Sequence, residues 1–120
     1  MQGEWKLSIK VAIASTDGKV INQHFGHAEK FHIVEIGEEE YSYRETREVA
    51  SCCNDGTHEM SSFEKVAETL QDCKAILVSR IGPGALAYME TKGFTIFEAP
   101  CRVDEVLKKI IDEKILEVRE

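Results

Sequence analysis

The sequence predicts an α/β fold in which one mixed five-stranded sheet is combined with three helices. Three observations support this prediction. Three segments with strand-like apolar patterns follow one another in the first half of the chain, joined by short polar links. The second half alternates short apolar runs with stretches whose apolar residues recur every three or four positions, as on one face of a helix. A chain of 120 residues can bury its own hydrophobic core, so we expect a single domain over residues 1–120.

The first half of the chain supplies three consecutive strands. Leu7–Ser15 alternates large apolar side chains with Ser, Lys and Ala, which predicts a strand whose second face admits a closely packed helix. Phe31–Ile36 is a second strand, and a "GEEE" turn leads to a third, Tyr41–Val49, whose many charges suit an exposed sheet edge. Because the links are short, the three strands should form an antiparallel meander.

Helices and short strands alternate in the second half. Ser61 and Glu64 match a capping box that opens a helix, and Ala75–Val78 is a continuous apolar run typical of a buried parallel strand. Gly93 should end the helix that follows. The remaining predicted elements are a second helix, a fifth strand and an amphipathic final helix, over Ala85–Lys92, Thr95–Ala99 and Val103–Ile111.

The order of elements is therefore βββαβαβα. Right-handed crossovers place the last two strands beside the first, which gives the strand order 3-2-1-4-5 with strand 2 antiparallel to the others. This is the ribonuclease H-like topology. Strands 1, 3, 4 and 5 then point the same way, so the segments that leave them emerge at one edge of the sheet, called here the carboxyl edge.

Composition and charge narrow the class of protein. Apolar residues make up 42% of the chain and charged residues 31%, as in a soluble globular protein. The formal charge is −7, and Lys and Arg are interleaved with Glu, which argues against nucleic acid as a partner. The sequence shows neither a signal peptide nor an apolar run of membrane-spanning length, so we expect a cytoplasmic protein with reduced cysteines and no membrane partner.

The carboxyl edge of the predicted sheet gathers most of the side chains that bind metals. Ligands of open α/β sheets favour this edge, at the point where strand connections diverge, here between strands 1 and 4. Cys73 precedes strand 4 and falls at the opposite edge, so we assign it to structure. The segments at the carboxyl edge carry the other candidates, namely His24, His27, Cys52, Cys53, His58, Cys101 and the glycine-rich turn Arg80–Gly84.

Three of the four histidines lie in one short stretch, "NQHFGHAEKFH", Asn22–His32. Imidazole binds zinc, iron and iron–sulfur species. His24 and His27, three positions apart, would share one face of a helical turn, and Gly26 permits unusual backbone angles or the close approach of a bulky ligand. The alternative is that both histidines bond within the loop and reach solvent. His32 lies inside a strand and is interpreted as a packed or rim side chain.

Cys52, Cys53 and His58 lie in the loop after the third strand. Neighbouring side chains diverge, so the two cysteines should not chelate one ion together, although either can join a histidine across the cleft. The alternative is an ordinary pair of reduced loop thiols. His58 has the same two interpretations.

The stretch "SRIGPG", Ser79–Gly84, ends a buried strand and opens a helix. Free backbone N–H groups and the helix dipole at such a place can hold an anion, and Arg80 would add a positive charge. The stretch lacks the Lys-Ser/Thr ending of a phosphate-binding loop. A tight turn without a ligand would have the same sequence, so both interpretations stay open.

Two long segments, "VAIASTDGKVINQHFGHAEKFHIVEI" and "DCKAILVSRIGPGALAYMETKGFTIFEA", together with the closing helix, resemble the dinitrogenase iron–molybdenum cofactor biosynthesis family. That family includes nitrogenase accessory proteins of the NifX type and the C-terminal domain of NifB. The resemblance covers roughly Ile9–Ile111 and is carried above all by "HFGHA" and "RIGPGA".

The resemblance implies a non-enzymatic protein that transiently binds iron–molybdenum cofactor, or its iron–sulfur precursor, and carries or stores it during nitrogenase assembly. Nitrogenase assembly proteins would be its partners. The chain lacks the CxxxCxxC motif of a radical-SAM domain, so it is not expected to synthesise the cofactor. Metal ligation by the two loop cysteines or His58 is inferred from their position and not from the resemblance. The family's two motifs fall on His24, Phe25, Gly26 and His27, and on Arg80, Gly82, Pro83 and Gly84.

Other classes of function compete with the carrier hypothesis. A nuclease of ribonuclease H type needs clustered carboxylates with one on the first strand, where this chain has Ala12 and Ala14 and no acid. A small thiol- or zinc-dependent enzyme would use Cys52 or Cys53 near the loop histidines. An anion-binding regulatory module would hold its ligand without needing the histidines.

Overall fold

The structure is a computed structural model that describes residues 8–37, 39–49 and 60–113. Within these residues the elements follow the predicted order, with one additional 3-10 turn over Phe25–His27. The strands are β1 (Ile9–Ala14), β2 (Lys30–Ile36), β3 (Tyr41–Glu48), β4 (Ala75–Val78) and β5 (Thr95–Glu98). The helices are α1 (Met60–Thr69), α2 (Pro83–Thr91) and α3 (Val103–Asp112).

The five strands form one sheet in the order β3-β2-β1-β4-β5, which confirms the predicted ribonuclease H-like arrangement. β1 pairs antiparallel with β2 and parallel with β4, so that Val11 lies between Val34 and Ala75. β2 also pairs antiparallel with β3, and β5 runs parallel to β4. β2 is therefore the single reversed strand of the sheet.

The sheet divides the apolar core into two clusters, because β1 alternates large and small side chains. Its large residues lie on the face covered by α3, whereas Ala12 and Ala14 lie on the face covered by α1 and α2. These alanines let the two helices pack close to the sheet, as the alternation in the sequence predicts. The helices contribute side chains such as Leu107 to the first cluster, and Phe63 and Met89 to the second.

Two predicted helix starts differ from the observed ones. α2 begins at Pro83, two residues before the predicted start at Ala85, because proline fits the first helical position, where no intrahelical acceptor exists for an N–H. α1 is described from Met60, so Ser61 lies inside the helix and not at the N-cap position predicted for it. Gly93 follows α2 with φ +96, as predicted for a residue that ends a helix.

None of the helices among the described residues is long and apolar enough to cross a membrane. The exposed edge strand β3 carries the charges expected of it. One of these charges ties the strand to the rest of the fold. Arg47 donates to both carboxylate oxygens of Asp72, at 2.7 and 2.9 Å, and to the Thr69 carbonyl at 2.8 Å. β3 is thereby joined to the end of α1.

The Arg47 guanidinium beside Asp72 holds the pKa of that carboxyl well below its usual range. Because the pKa of Asp72 is lower in the folded chain than in the unfolded chain, ionised Asp72 stabilises the fold. This contribution is complete above the unfolded pKa and is lost progressively as the pH falls below it.

Asp72→Asn should therefore lower the free energy of unfolding at neutral pH by about 1 kcal/mol, a small value because Asp72 is partly exposed. Urea unfolding measured from about pH 7 down to about pH 2 should show the two stability curves converging in acid. Asp112→Asn, which changes an exposed aspartate of α3, is the control. Its curve of unfolding free energy against pH should stay parallel to that of the wild type. A constant gap between Asp72→Asn and the wild type would contradict the ion-pair assignment.

Two cysteines lie at opposite edges of the sheet. Cys73 precedes β4, is 6% exposed, and has its thiol pKa raised to about 12 by burial. Cys101 follows β5 at the carboxyl edge and is exposed. The assignment of Cys73 to structure fits this environment, since a buried protonated thiol is a poor nucleophile.

A thiol-alkylating reagent at about pH 8 should modify Cys101 and leave Cys73 unmodified in the folded protein. Peptide-resolved mass spectrometry reads the two sites separately, so the other cysteines need no replacement. In concentrated urea both sites should react alike. Alkylation of Cys73 at the rate of Cys101 under native conditions would show that its burial does not protect it.

Candidate functional site

The loop between β1 and β2 crosses the carboxyl edge of the sheet and is held there by backbone hydrogen bonds. Ile21 N–H donates to the Cys101 carbonyl at 2.9 Å, beyond the end of β5. Ser79 N–H donates to the Gln23 carbonyl at 3.0 Å, at the end of β4. The loop therefore runs along the ends of β5 and β4, as the predicted topology requires.

The start of this loop is fixed by short-range bonds around Asp17. Its carboxylate accepts the Lys19 N–H at 2.8 Å and the Val20 N–H at 3.3 Å, and these amides hold the pKa of Asp17 below its usual range. Gly18 has φ +77, a left-handed angle that glycine adopts without strain. A compact turn thus directs the chain from β1 onto the sheet edge.

His24 and Arg80 are brought together at this edge. They form an isolated parallel bridge, and Phe25 N–H donates to the Arg80 carbonyl at 2.8 Å. Both residues are exposed. The 3-10 turn begins directly after His24, with Gly26 in its middle and His27 as its last residue. The predicted proximity of the histidine loop and the glycine-rich turn is thus present for His24 and Arg80.

Phe25 is buried in the core and does not line the exposed surface of the loop. Its side chain is 2% exposed, and its ring centroid lies 6.3 Å from that of Phe63 in α1. Burying such a ring contributes about 2–3 kcal/mol to folding. We therefore assign Phe25 an anchoring role in place of the ligand contact expected from the sequence.

The glycine-rich turn exposes its backbone to solvent. A Cβ added at Gly82 or Gly84 would meet nothing within 4 Å. Gly82 has φ −74, an angle that any residue adopts, and it caps α2 ahead of Pro83. Packing therefore does not require glycine at either position, and the backbone angle at Gly82 does not require it there. Their effect is to leave open space over the turn, next to Arg80.

One further residue of this edge was not predicted from the sequence. Ile81 N–H, in the middle of the turn, donates to the Glu98 carboxylate at 2.9 Å. Glu98 is the last residue of β5 and pairs with Val78 across the sheet. A glutamate that ends a strand at the carboxyl edge was the available signal. The sequence predicts free backbone N–H donors in this turn. The N–H of Ile81 is not one of them, because it is already bonded to Glu98.

The other predicted metal ligands, Cys52, Cys53 and His58, lie outside the described residues. Within the described ranges, no group of three or more His, Cys, Asp and Glu side chains is placed to hold a metal ion. The thiol- or zinc-enzyme alternative depends on the two loop cysteines and stays a prediction.

His32 is held by internal hydrogen bonds. Its Nε2 lies 3.0 Å from the Ser15 carbonyl and its Nδ1 lies 3.0 Å from the Thr46 hydroxyl. Because a carbonyl only accepts, Nε2 carries the proton in the neutral imidazole and Nδ1 accepts from Thr46. His32 thus ties β2 to the loop after β1 and to β3, which agrees with its interpretation as a packed rim side chain.

Comparison with known proteins places these features in a family. Residues 7–113 match the family described as dinitrogenase iron-molybdenum cofactor. The FeMo cofactor biosynthesis protein NifB of Frankia alni is 35% identical over 105 residues, which cover 85% of this chain and 21% of NifB. NifB of Azotobacter vinelandii is 34% identical over 88 residues, covering 71% of this chain and 18% of NifB. The chain thus spans about a fifth of the length of these relatives.

Proteins of similar length match along most of both chains. MJ0580 of Methanocaldococcus jannaschii is 29% identical over 108 residues, which cover 89% of each chain. The crystal structure of PH0822 superposes with a TM-score of 0.66 at 25% identity, covering 88% of this chain and 91% of PH0822. MJ0327 of Methanocaldococcus jannaschii has the same fold, with a TM-score of 0.58 at 21% identity over 89% of this chain and 91% of MJ0327. Sequence and fold agree with the resemblance carried by the two motifs, and the chain belongs to the dinitrogenase iron–molybdenum cofactor family.

Proposed function

We propose that this protein binds a metal–sulfur cluster at the carboxyl edge of its sheet and carries it without transforming it. The cluster would be iron–molybdenum cofactor or an iron–sulfur precursor. The observation that carries the proposal is the placement of His24 beside Arg80 and the open backbone of the glycine-rich turn. The family to which the chain belongs supports the same ligand class.

Each part of this edge suits one property of a metal–sulfur cluster. The His24 imidazole can supply a nitrogen ligand to iron or molybdenum. The Arg80 guanidinium is positive at any physiological pH and can hydrogen-bond to cluster sulfides. The uncovered backbone at Gly82 and Gly84 admits a bulky group close to the chain. His27, Cys52, Cys53 and His58 are proposed as further ligands.

A carrier must release its cluster as well as bind it. A site with few protein ligands, supplemented by charge and backbone contacts, holds a cluster less firmly than a set of four cysteinates does. We propose nitrogenase assembly proteins of the cytoplasm as donors and acceptors. The similarity to part of NifB, named as a FeMo cofactor biosynthesis protein in several organisms, supports this context.

The role of His24 is tested by anaerobic titration with a thiolate-capped 4Fe–4S cluster, followed by absorbance and by iron and sulfide analysis. His24→Ala removes a direct ligand, so we expect its affinity for the cluster to be at least about tenfold lower than that of the wild type. His32→Gln is the matched control, because this histidine is engaged in internal bonds. Equal affinity of His24→Ala and wild type would remove the histidine loop from the site.

Substitutions of Gly84 separate folding from binding. Gly84 lies in the first turn of α2 and a Cβ there meets no neighbour, so Gly84→Ala should raise the free energy of unfolding by about 0.5 kcal/mol through helix propensity. Gly84→Leu should also fold, but its side chain fills the open space and should weaken cluster binding by about tenfold, equivalent to about 1.4 kcal/mol.

Gly93→Ala provides the opposite control at the other end of α2. Its φ of +96 disfavours any side chain, so this variant should lose about 1 kcal/mol of stability and keep the cluster affinity of the wild type. Urea unfolding and the same titration measure both quantities. Undiminished binding by Gly84→Leu would show that the cluster does not lie over the turn.

A further inference from the structure

The carboxylate of Glu98 accepts a hydrogen bond from a backbone N–H in the middle of the proposed site. Its Oε2 accepts from Ile81 N–H at 2.9 Å, and Ile81 lies between Arg80 and Gly82. Glu98 is exposed, and it belongs to the neighbouring strand, so its side chain crosses from β5 to the turn after β4. The contact is not a local consequence of chain connectivity.

The contact lies on the face of the sheet where α2 begins. β5 alternates so that Ile96 packs with the core cluster beneath α1 and α2, which puts Glu98 on the same face. α2 starts on that face at Pro83, with no acidic residue in its first turn and no side-chain cap at Gly82. Glu98 therefore places a carboxylate from another strand beside the turn that leads into α2.

We propose that Glu98 is an internal competitor of the cluster, which is displaced from the Ile81 N–H when an anionic cluster binds and returns when it leaves. This inference rests on the proposed function, because it assigns a regulatory residue to that site. The carboxylate lowers cluster affinity in two ways. It occupies a donor that a cluster sulfide would use, and its charge repels an anionic ligand at short range.

Two substitutions separate the effect of the Glu98 charge from the effect of the hydrogen bond to Ile81 N–H. Glu98→Gln keeps the length of the side chain and an oxygen that accepts from Ile81 N–H, but it removes the charge. Glu98→Ala removes both the charge and the acceptor, and so leaves the Ile81 donor open. Glu90→Gln removes one negative charge from an exposed position in α2 and controls for net charge.

The experiment is anaerobic titration of the full chain with the thiolate-capped 4Fe–4S cluster, together with the rate at which an iron chelator strips the loaded protein. We expect Glu98→Gln to bind about three- to tenfold more tightly than the wild type and to release the cluster correspondingly more slowly. Glu98→Ala should bind at least as tightly as Glu98→Gln. Glu90→Gln should stay within about twofold of the wild type.

The outcomes separate this inference from the proposed function. If the wild type binds the cluster and Glu98→Gln binds no more tightly than Glu90→Gln, the competitor role is overturned and the carrier function stands. Weaker binding by both Glu98 variants, with unchanged thermal unfolding, would make Glu98 a residue that positions the turn and would also overturn the inference. If neither the wild type nor any variant binds the cluster, the proposed function and the inference both fail.

Discussion

Backbone hydrogen bonds between the β1–β2 loop and the ends of β4 and β5 are the constraint on which the candidate site depends. Two antiparallel neighbours such as β1 and β2 can be joined by a tight hairpin. Here the connection is instead a long loop that crosses the carboxyl edge, with successive amides and carbonyls bonded beyond both parallel strands. The bonds place His24 next to Arg80, although the two residues are far apart in the sequence.

Apolar anchors on both faces of the sheet hold the same loop. Ile21 is 1% exposed and belongs to the cluster under α3, whereas Phe25 belongs to the cluster under α1 and α2. The segment between them therefore passes over the edge of the sheet, with one anchor in each half of the core. His24 lies in that segment and is presented to solvent by a loop that is packed at both ends.

The fold was accessible from the sequence because its signals are local and repeated. Alternation in β1, continuous apolar runs in β4 and the right-handed crossover rule were enough to define the strand order and orientation. The proximity of His24 and Arg80 followed from that topology alone. Sequence reasoning missed features that depend on three-dimensional neighbours. Phe25 belongs to a loop without periodicity, so no pattern in the sequence predicted its burial. The Glu98 contact depends on the conformation of the turn after β4, which brings the Ile81 N–H to the end of β5.

Main-chain hydrogen bonds hold the loop in place, and this affects how such a site can change in evolution. Amides and carbonyls are common to all residue types apart from the missing N–H of proline, so the main-chain bonds of the loop do not depend on its exposed side chains, whereas Ile21 and Phe25 are needed as buried anchors. Exposed positions such as those of His24 and Arg80 are thus free to vary while the scaffold stays in place. Relatives of this fold can acquire new ligand preferences by exchanging a few surface groups, and a protein engineer can use the same route.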